Sequence, residues 1–158
     1  MGGSAEFASG SGAALNVVVD TNVILAQIFP LPYSAAAERL FLQSLEEGRR
    51  LFAPVLWQFE AVSAIRKHLT KNESDLAEGQ QILGRLLTLP VETILPTESL
   101  HLRALQWAER TGTFVAYDAV FLAVAEELGA EFWTADRPLV RVARTLKLPW
   151  VHELQESL

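Results

Sequence analysis

Short β-branched runs alternate along the chain with longer stretches whose apolar positions recur every three to four residues, and prolines, glycines or polar clusters mark the changes of period. Residues 15–20, LNVVVD, are too few for a helix and almost wholly apolar, as a strand buried on both faces must be; they are predicted to form the first and central strand. Residues 23–28 begin a helix that Pro30 and Pro32 break. Ser34 is placed to cap a second helix reaching about Glu47, with Gly48 as its stop. Residues 50–53 read as a strand, and Pro54 suits the first turn of a helix over 55–69 that Thr70, Lys71 and Asn72 interrupt.

The second half repeats the alternation. An amphipathic stretch over about 74–87 ends before Pro90, a strand covers 91–95, and Thr97 opens a helix over 97–110 closed by Gly112. Residues 117–128 form a strongly apolar helix ended by Gly129, residues 131–136 a strand, 138–146 a helix and 150–152 a last strand. Strands alternating with helices predict a parallel sheet covered on both faces.

Composition narrows the chemistry. At 158 residues and 50% apolar content the chain is the size of one domain with its own core. The first fourteen residues, MGGSAEFASGSGAA, have no apolar period and read as a vector-derived tag and linker ahead of a natural start near Leu15, leaving one domain over 15–158. There is no cysteine, which excludes disulfides and thiolate sites and agrees with a cytoplasmic protein. His68, His101 and His152 lie far apart, outside any zinc-binding pattern. No apolar run reaches the length of a membrane span. A net charge of −6 opposes a generally basic nucleic-acid surface unless some of the acids surround divalent cations, which reverse the local field.

Four acids stand out. In an open parallel sheet the working site lies outside the carboxyl ends of the strands, and Asp20 and Asp136 each end an apolar run there. Each could equally be a cap for the next helix. Glu60 sits in a mostly apolar helix, where a carboxylate is costly unless a cation or donors compensate it; a nearby lysine or arginine is the alternative partner. Asp118 lies in the first turn of an apolar helix, where it could also complement the helix dipole.

Taken in order, VVVDTNVILA, a glutamate in a mid-chain helix, and YDAVFLAVAEELGAEFWTADRPL resemble the PIN-domain family, over essentially all of residues 15–152. Among its members the chain is most similar to the small ribonucleases that serve as toxins of toxin–antitoxin pairs, the VapC type. The resemblance implies a three-layer α/β/α fold with a mostly parallel central sheet. It implies that Asp20, Glu60, Asp118 and Asp136 hold Mg2+ or Mn2+ for cutting RNA, with Thr21, Asn22 and Thr134 as polar accessories. It further implies an RNA substrate such as tRNA, a cognate antitoxin whose tail enters the acidic crevice, and a homodimer.

The residue types agree with that chemistry. Carboxylate oxygens are hard ligands suited to magnesium and manganese. Thr134 stands two residues before Asp136, on one face of a strand, where its hydroxyl could orient a carboxylate. Arg137, Arg141 and Arg144 recur at i, i+4 and i+7 and could meet RNA phosphates at the rim, or form an ordinary solvated face. Arg66, Lys67 and Lys71 make a second basic patch, and Trp57, Trp107, Trp133 and Trp150 read as core or subunit interface. A haloacid-dehalogenase-like phosphatase wants an aspartate where Asn22 stands, and a receiver domain wants an acidic pair after the first strand. An inactive PIN-like binding module stays open as an alternative.

Overall fold

The computed structural model describes residues 16–113 and 116–155. The proposed linker and Leu15 lie outside the described residues. Five strands, β1 (Asn16–Val19), β2 (Arg50–Pro54), β3 (Val91–Ile94), β4 (Glu131–Thr134) and β5 (Val151–Glu153), form one sheet in the order β3-β2-β1-β4-β5, with every pair parallel. The sheet is therefore all-parallel rather than mostly so, and β1 is central as its uninterrupted apolar run requires. Val17, Val18 and Val19 are wholly buried.

Seven helices are described: α1 (Thr21–Leu25), α2 (Ser34–Glu46), α3 (Leu56–Lys71), α4 (Leu76–Leu87), α5 (Glu98–Thr111), α6 (Tyr117–Leu128) and α7 (Arg137–Thr145). The chain steps from β1 to β2 to β3 in one direction and then crosses to β4 and β5 in the other. Because parallel crossovers are right-handed, the two sets of connections cover opposite faces and give three layers. Phe121 of α6 stacks on Phe132 of β4 with ring centroids 6.1 Å apart, and both are essentially without solvent contact.

Local signals place most boundaries. The side chains of Asp75 and Thr97 accept from the amides of Glu78 and Leu100 at 3.1 Å and start α4 and α5. Gly112 and Gly129 take the left-handed conformation that ends α5 and α6, with φ of 74° and 59°, which side chains with a Cβ rarely adopt. Two expectations fail. Pro54 closes β2 instead of opening the next helix, because its carbonyl side still pairs with β3 and needs no N–H of its own. Ser34 is the first helical residue rather than the cap: its Oγ accepts from the Leu31 amide and donates to the Phe29 carbonyl, both at 2.9 Å, tying together the Pro30–Pro32 turn.

Trp57 and Trp107 are buried, and Trp133 and Trp150 are partly buried against the core, so the tryptophans serve packing. Among the described residues, no helix is long and apolar enough to cross a membrane.

Candidate metal centre

Asp20 follows β1 directly, and its amide donates to the Trp133 carbonyl at 3.0 Å, which continues the β1–β4 pairing by one residue. The side chain is buried. Its Oδ1 accepts from the Thr21 amide at 2.8 Å and caps α1; its Oδ2 accepts from Thr134 Oγ1 at 2.6 Å. The same threonine oxygen accepts from the Asp136 amide at 3.0 Å, so one fully buried hydroxyl joins the strand-end acids. Asp136 Oδ1 caps α7 through the Leu139 amide at 3.0 Å. Both strand-end aspartates are thus caps, and both sit at the carboxyl edge of the sheet.

Glu60 comes from the second turn of α3 and is only partly buried. It accepts from Thr21 Oγ1 at 2.8 Å, a hydroxyl in place of the lysine or arginine that the bland alternative required. Asn22 Oδ1 accepts from the Ala135 amide at 3.3 Å and ties α1 to the loop after β4. Thr21, Asn22 and Thr134 therefore each fix part of the frame that carries the acids.

Mutual repulsion links four acids distant in sequence. Burial first, then the negative charges of Asp118 and Glu60, raise the Asp20 carboxyl from its ordinary 3.8 to about 7, against the lowering effect of its bonds to Thr134 and Thr21. Burial first, then Asp136 and Glu60, push the half-buried Asp118 upward as well. Among the described residues, no cationic side chain is among the groups named as acting on either.

A pH dependence follows. With its folded value raised above the unfolded one, Asp20 binds its proton more tightly in the native state, so its stabilising contribution is complete below about pH 4 and is lost as pH rises through 7. The ceiling is on the order of 4 kcal/mol at about 1.36 kcal/mol per unit. In chelator, Asp20→Asn is expected to melt close to the parent at pH 5 and several degrees above it at pH 8. A melting difference that stays flat across that range would show that the charge is not confined as described.

The donor set suits a hard divalent ion, being carboxylate and hydroxyl oxygen throughout. Among the described residues, however, no three acidic or histidine side chains are set to chelate one ion directly. Thr21 and Thr134 hold Glu60 and Asp20 by hydrogen bonds, and uncompensated carboxylates repel one another. The arrangement fits the magnesium mode, in which one or two carboxylates bind and waters fill the remaining positions, rather than a closed cage.

Arg137 Nε and Arg144 Nη2 converge on Glu153 at 3.9 and 3.1 Å, while Arg141 is exposed on the same helix. Glu153 ends β5, so this basic cluster lies on the carboxyl edge that also carries Asp20 and Asp136. Arg66, Lys67 and Lys71 are exposed along α3. Sequence reasoning missed two neighbours. Glu153 gathers the arginines, and Tyr33, whose phenol is pushed up by burial and then by the charge of Asp20, lies within reach of the hollow. Neither carried a local signal, because each is brought there by a turn or a strand pairing remote from the acidic motifs.

The PIN-domain family model matches residues 17–145. Comparison with curated protein sequences finds no match. Among solved structures, the chain is similar to a toxin–antitoxin complex from Klebsiella pneumoniae (TM-score 0.61, 18% identity, 89% of this chain and 99% of that one). It is similar also to VapBC2 from Rickettsia felis bound to a DNA fragment from its promoter (0.62, 14%, 89% and 99%), and to PAE2754 from Pyrobaculum aerophilum (0.59, 22%, 88% and 97%). At these identities the likeness is one of fold.

Proposed function

Because the chain belongs to the PIN-domain family, we propose that it is a metal-dependent endoribonuclease, the cytoplasmic toxin of a toxin–antitoxin pair, acting on RNA such as tRNA and inhibited by a cognate antitoxin. The observation that carries this reading is the gathering of negative charge on a buried acid: Asp20 has its carboxyl raised to about 7 by burial and by Asp118 and Glu60, and among the described residues no cationic side chain is named as acting on it. A group this unfavourable for the folded chain is explained by a ligand of positive charge.

Asp20, Glu60, Asp118 and Asp136 would hold Mg2+ or Mn2+, which when bound makes a water nucleophilic near neutral pH and offsets charge on the departing oxygen of the phosphodiester. The protein's own part is orientation. Thr134 and the Thr21 amide aim the two oxygens of Asp20, Thr21 Oγ1 steers Glu60, and the cap at Leu139 holds Asp136. Arg137, Arg141 and Arg144 supply positive charge for RNA phosphates beside this frame. The antitoxin's tail competes for the same hollow, with an arginine as surrogate for the metal. Toxin–antitoxin complexes among the structural relatives support the partner.

Manganese titration followed by calorimetry and thermal melting tests the reading. The parent is expected to bind and to gain several degrees, more at pH 8 than at pH 6 because protons compete for Asp20. Asp20→Asn is expected to lose both effects. Equal binding by parent and variant would remove the site assignment. The lack of a ready-made chelating group among the described residues favours one other reading, an inactive PIN-like binding module. That reading requires no carboxylate-dependent metal binding in the same titration.

A further inference from the structure

The connections from β1 to β2 and from β2 to β3 supply the helices on one face of the sheet, and both step away from β4 and β5. That end of the face is therefore open beside α2, and a cleft of about 850 Å³ lies there. Its floor is apolar, made by Leu40, Trp133 and Leu154, while Arg39 and Arg49 line one side and Glu153 and Gln155 the other. Glu153 is bonded to Arg144 and close to Arg137, and Arg49 pairs with Glu47 at 2.8 Å. Among the charged residues lining the cleft and their ion-pair partners, four guanidinium groups thus face two carboxylates, a local excess of positive charge on a chain whose net charge is −6.

Ser44 points to the class of ligand. It is 1% exposed and lines the cleft, and among the described residues its hydroxyl makes no hydrogen bond, although it is not sealed from water. The Ser44 carbonyl accepts from the Arg49 amide at 2.7 Å, which brings that hydroxyl and a guanidinium next to each other. Such a pair of donors suits a phosphate. The cleft also adjoins the Asp20 site: the Leu154 amide donates to the Thr134 carbonyl at 2.7 Å, Thr134 bonds Asp20, and Tyr33, one turn before Ala36 of the lining, lies in the field of Asp20. Resting on the nuclease reading, we propose that the cleft holds the single-stranded flank of the RNA beside the cleaved bond, with Arg39, Ser44 and Arg49 taking its phosphates and unpaired bases lying on the apolar floor. A duplex hides the faces of its bases and an acidic peptide has none, so either would leave that floor unused; an unpaired strand uses both floor and charge. From Ala36 to Ser44 α2 advances about 12 Å at roughly 1.5 Å per residue, room for about three stacked nucleotides at about 3.4 Å each.

Fluorescence anisotropy of a labelled, unstructured RNA in chelator, where nothing is cut, tests this over about 50–200 mM salt. A variant carrying Arg39→Gln and Arg49→Gln is expected to bind about tenfold more weakly at the low end and to lower the slope of log affinity against log salt by about 1.4, two contacts at about 0.7 each. Arg39→Lys with Arg49→Lys should keep the slope. Arg85→Gln with Arg110→Gln removes the same charge elsewhere and should stay within about threefold of the parent. With manganese present, the first variant is expected to show a KM about tenfold higher with kcat unchanged, and trimming about three nucleotides from one side of the cut should cost the parent that factor and the variant nothing. A parent that binds no RNA, a slope unchanged by the Gln substitutions at 39 and 49, an equal loss from those at 85 and 110, or displacement by oligoglutamate as effective as by unlabelled RNA of equal charge would overturn the proposal. If the parent cuts RNA and the Arg39 and Arg49 substitutions cost nothing, the nuclease reading stands and the cleft falls. If the parent binds through these arginines but cuts nothing, the cleft stands as an RNA site and the nuclease reading falls.

Discussion

Asp118→Asn is expected to lower RNA cleavage by at least about a thousandfold, close to 4 kcal/mol of transition-state stabilisation, while leaving the fold intact. The charge lies in the first turn of α6, half buried, within the fields of Asp136 and Glu60. An amide there keeps the shape but removes a negative charge that acts on Asp20 and is itself opposed by Asp136 and Glu60. The structural cost is small: a first-turn aspartate contributes roughly 0.3–1 kcal/mol to its helix, and loss of a carboxyl already pushed upward offsets part of that. RNA ends sequenced after brief expression of parent and variant give the measurement. New ends confined to the parent support the nuclease, and identical end profiles would remove it.

Phe132→Ala is expected to cost about 3–5 kcal/mol, as for other large truncations in a packed core. Phe132 has no solvent contact, lies on β4 between β1 and β5, and stacks on Phe121. In a domain whose whole stability is on the order of 10 kcal/mol this is a large share, and the melting temperature should fall by roughly 10 °C or more. The truncation has a second consequence, because Phe132 and Thr134 share one side of β4 and Thr134 holds Asp20. Leu86→Ala is the control: Leu86 is also fully buried, but on α4, with no bond to the acid frame. At matched loss of stability, Phe132→Ala should weaken manganese binding more than Leu86→Ala. Scanning calorimetry and metal titration of the pair decide it; a Phe132→Ala protein melting within about two degrees of the parent would contradict the packing account.

Much of the fold was legible in the sequence because its signals are local. The β-branched run at 15–20, the glycines after α5 and α6 and the threonine before α5 act on their own neighbours, and the corresponding boundaries fall within one or two residues of expectation. Pro54 and Ser34 misled for the complementary reason. A proline satisfies either a first helical turn or a strand position that donates no hydrogen bond, and a serine serves equally as a cap or as a brace for the preceding turn. Only the pairing of β2 with β3 and the Pro30–Pro32 turn choose between those options. The tryptophans were readable as core residues because all four lie in apolar segments.

By itself, the sequence determined the order of elements, the parallel sheet with β1 at its centre and the placement of Asp20 and Asp136 at strand ends, since short-range periodicity and stereochemistry govern these. Tertiary structure alone decided that the charges of Glu60 and Asp118 act on Asp20, that Thr134 bonds Asp20, that Glu153 collects two arginines and that apolar side chains of α3 and α5 are left exposed. The physical reason is that desolvation and Coulomb interaction depend on which segments become neighbours in space. Residues far apart along the chain acquire those properties only when the sheet brings them together.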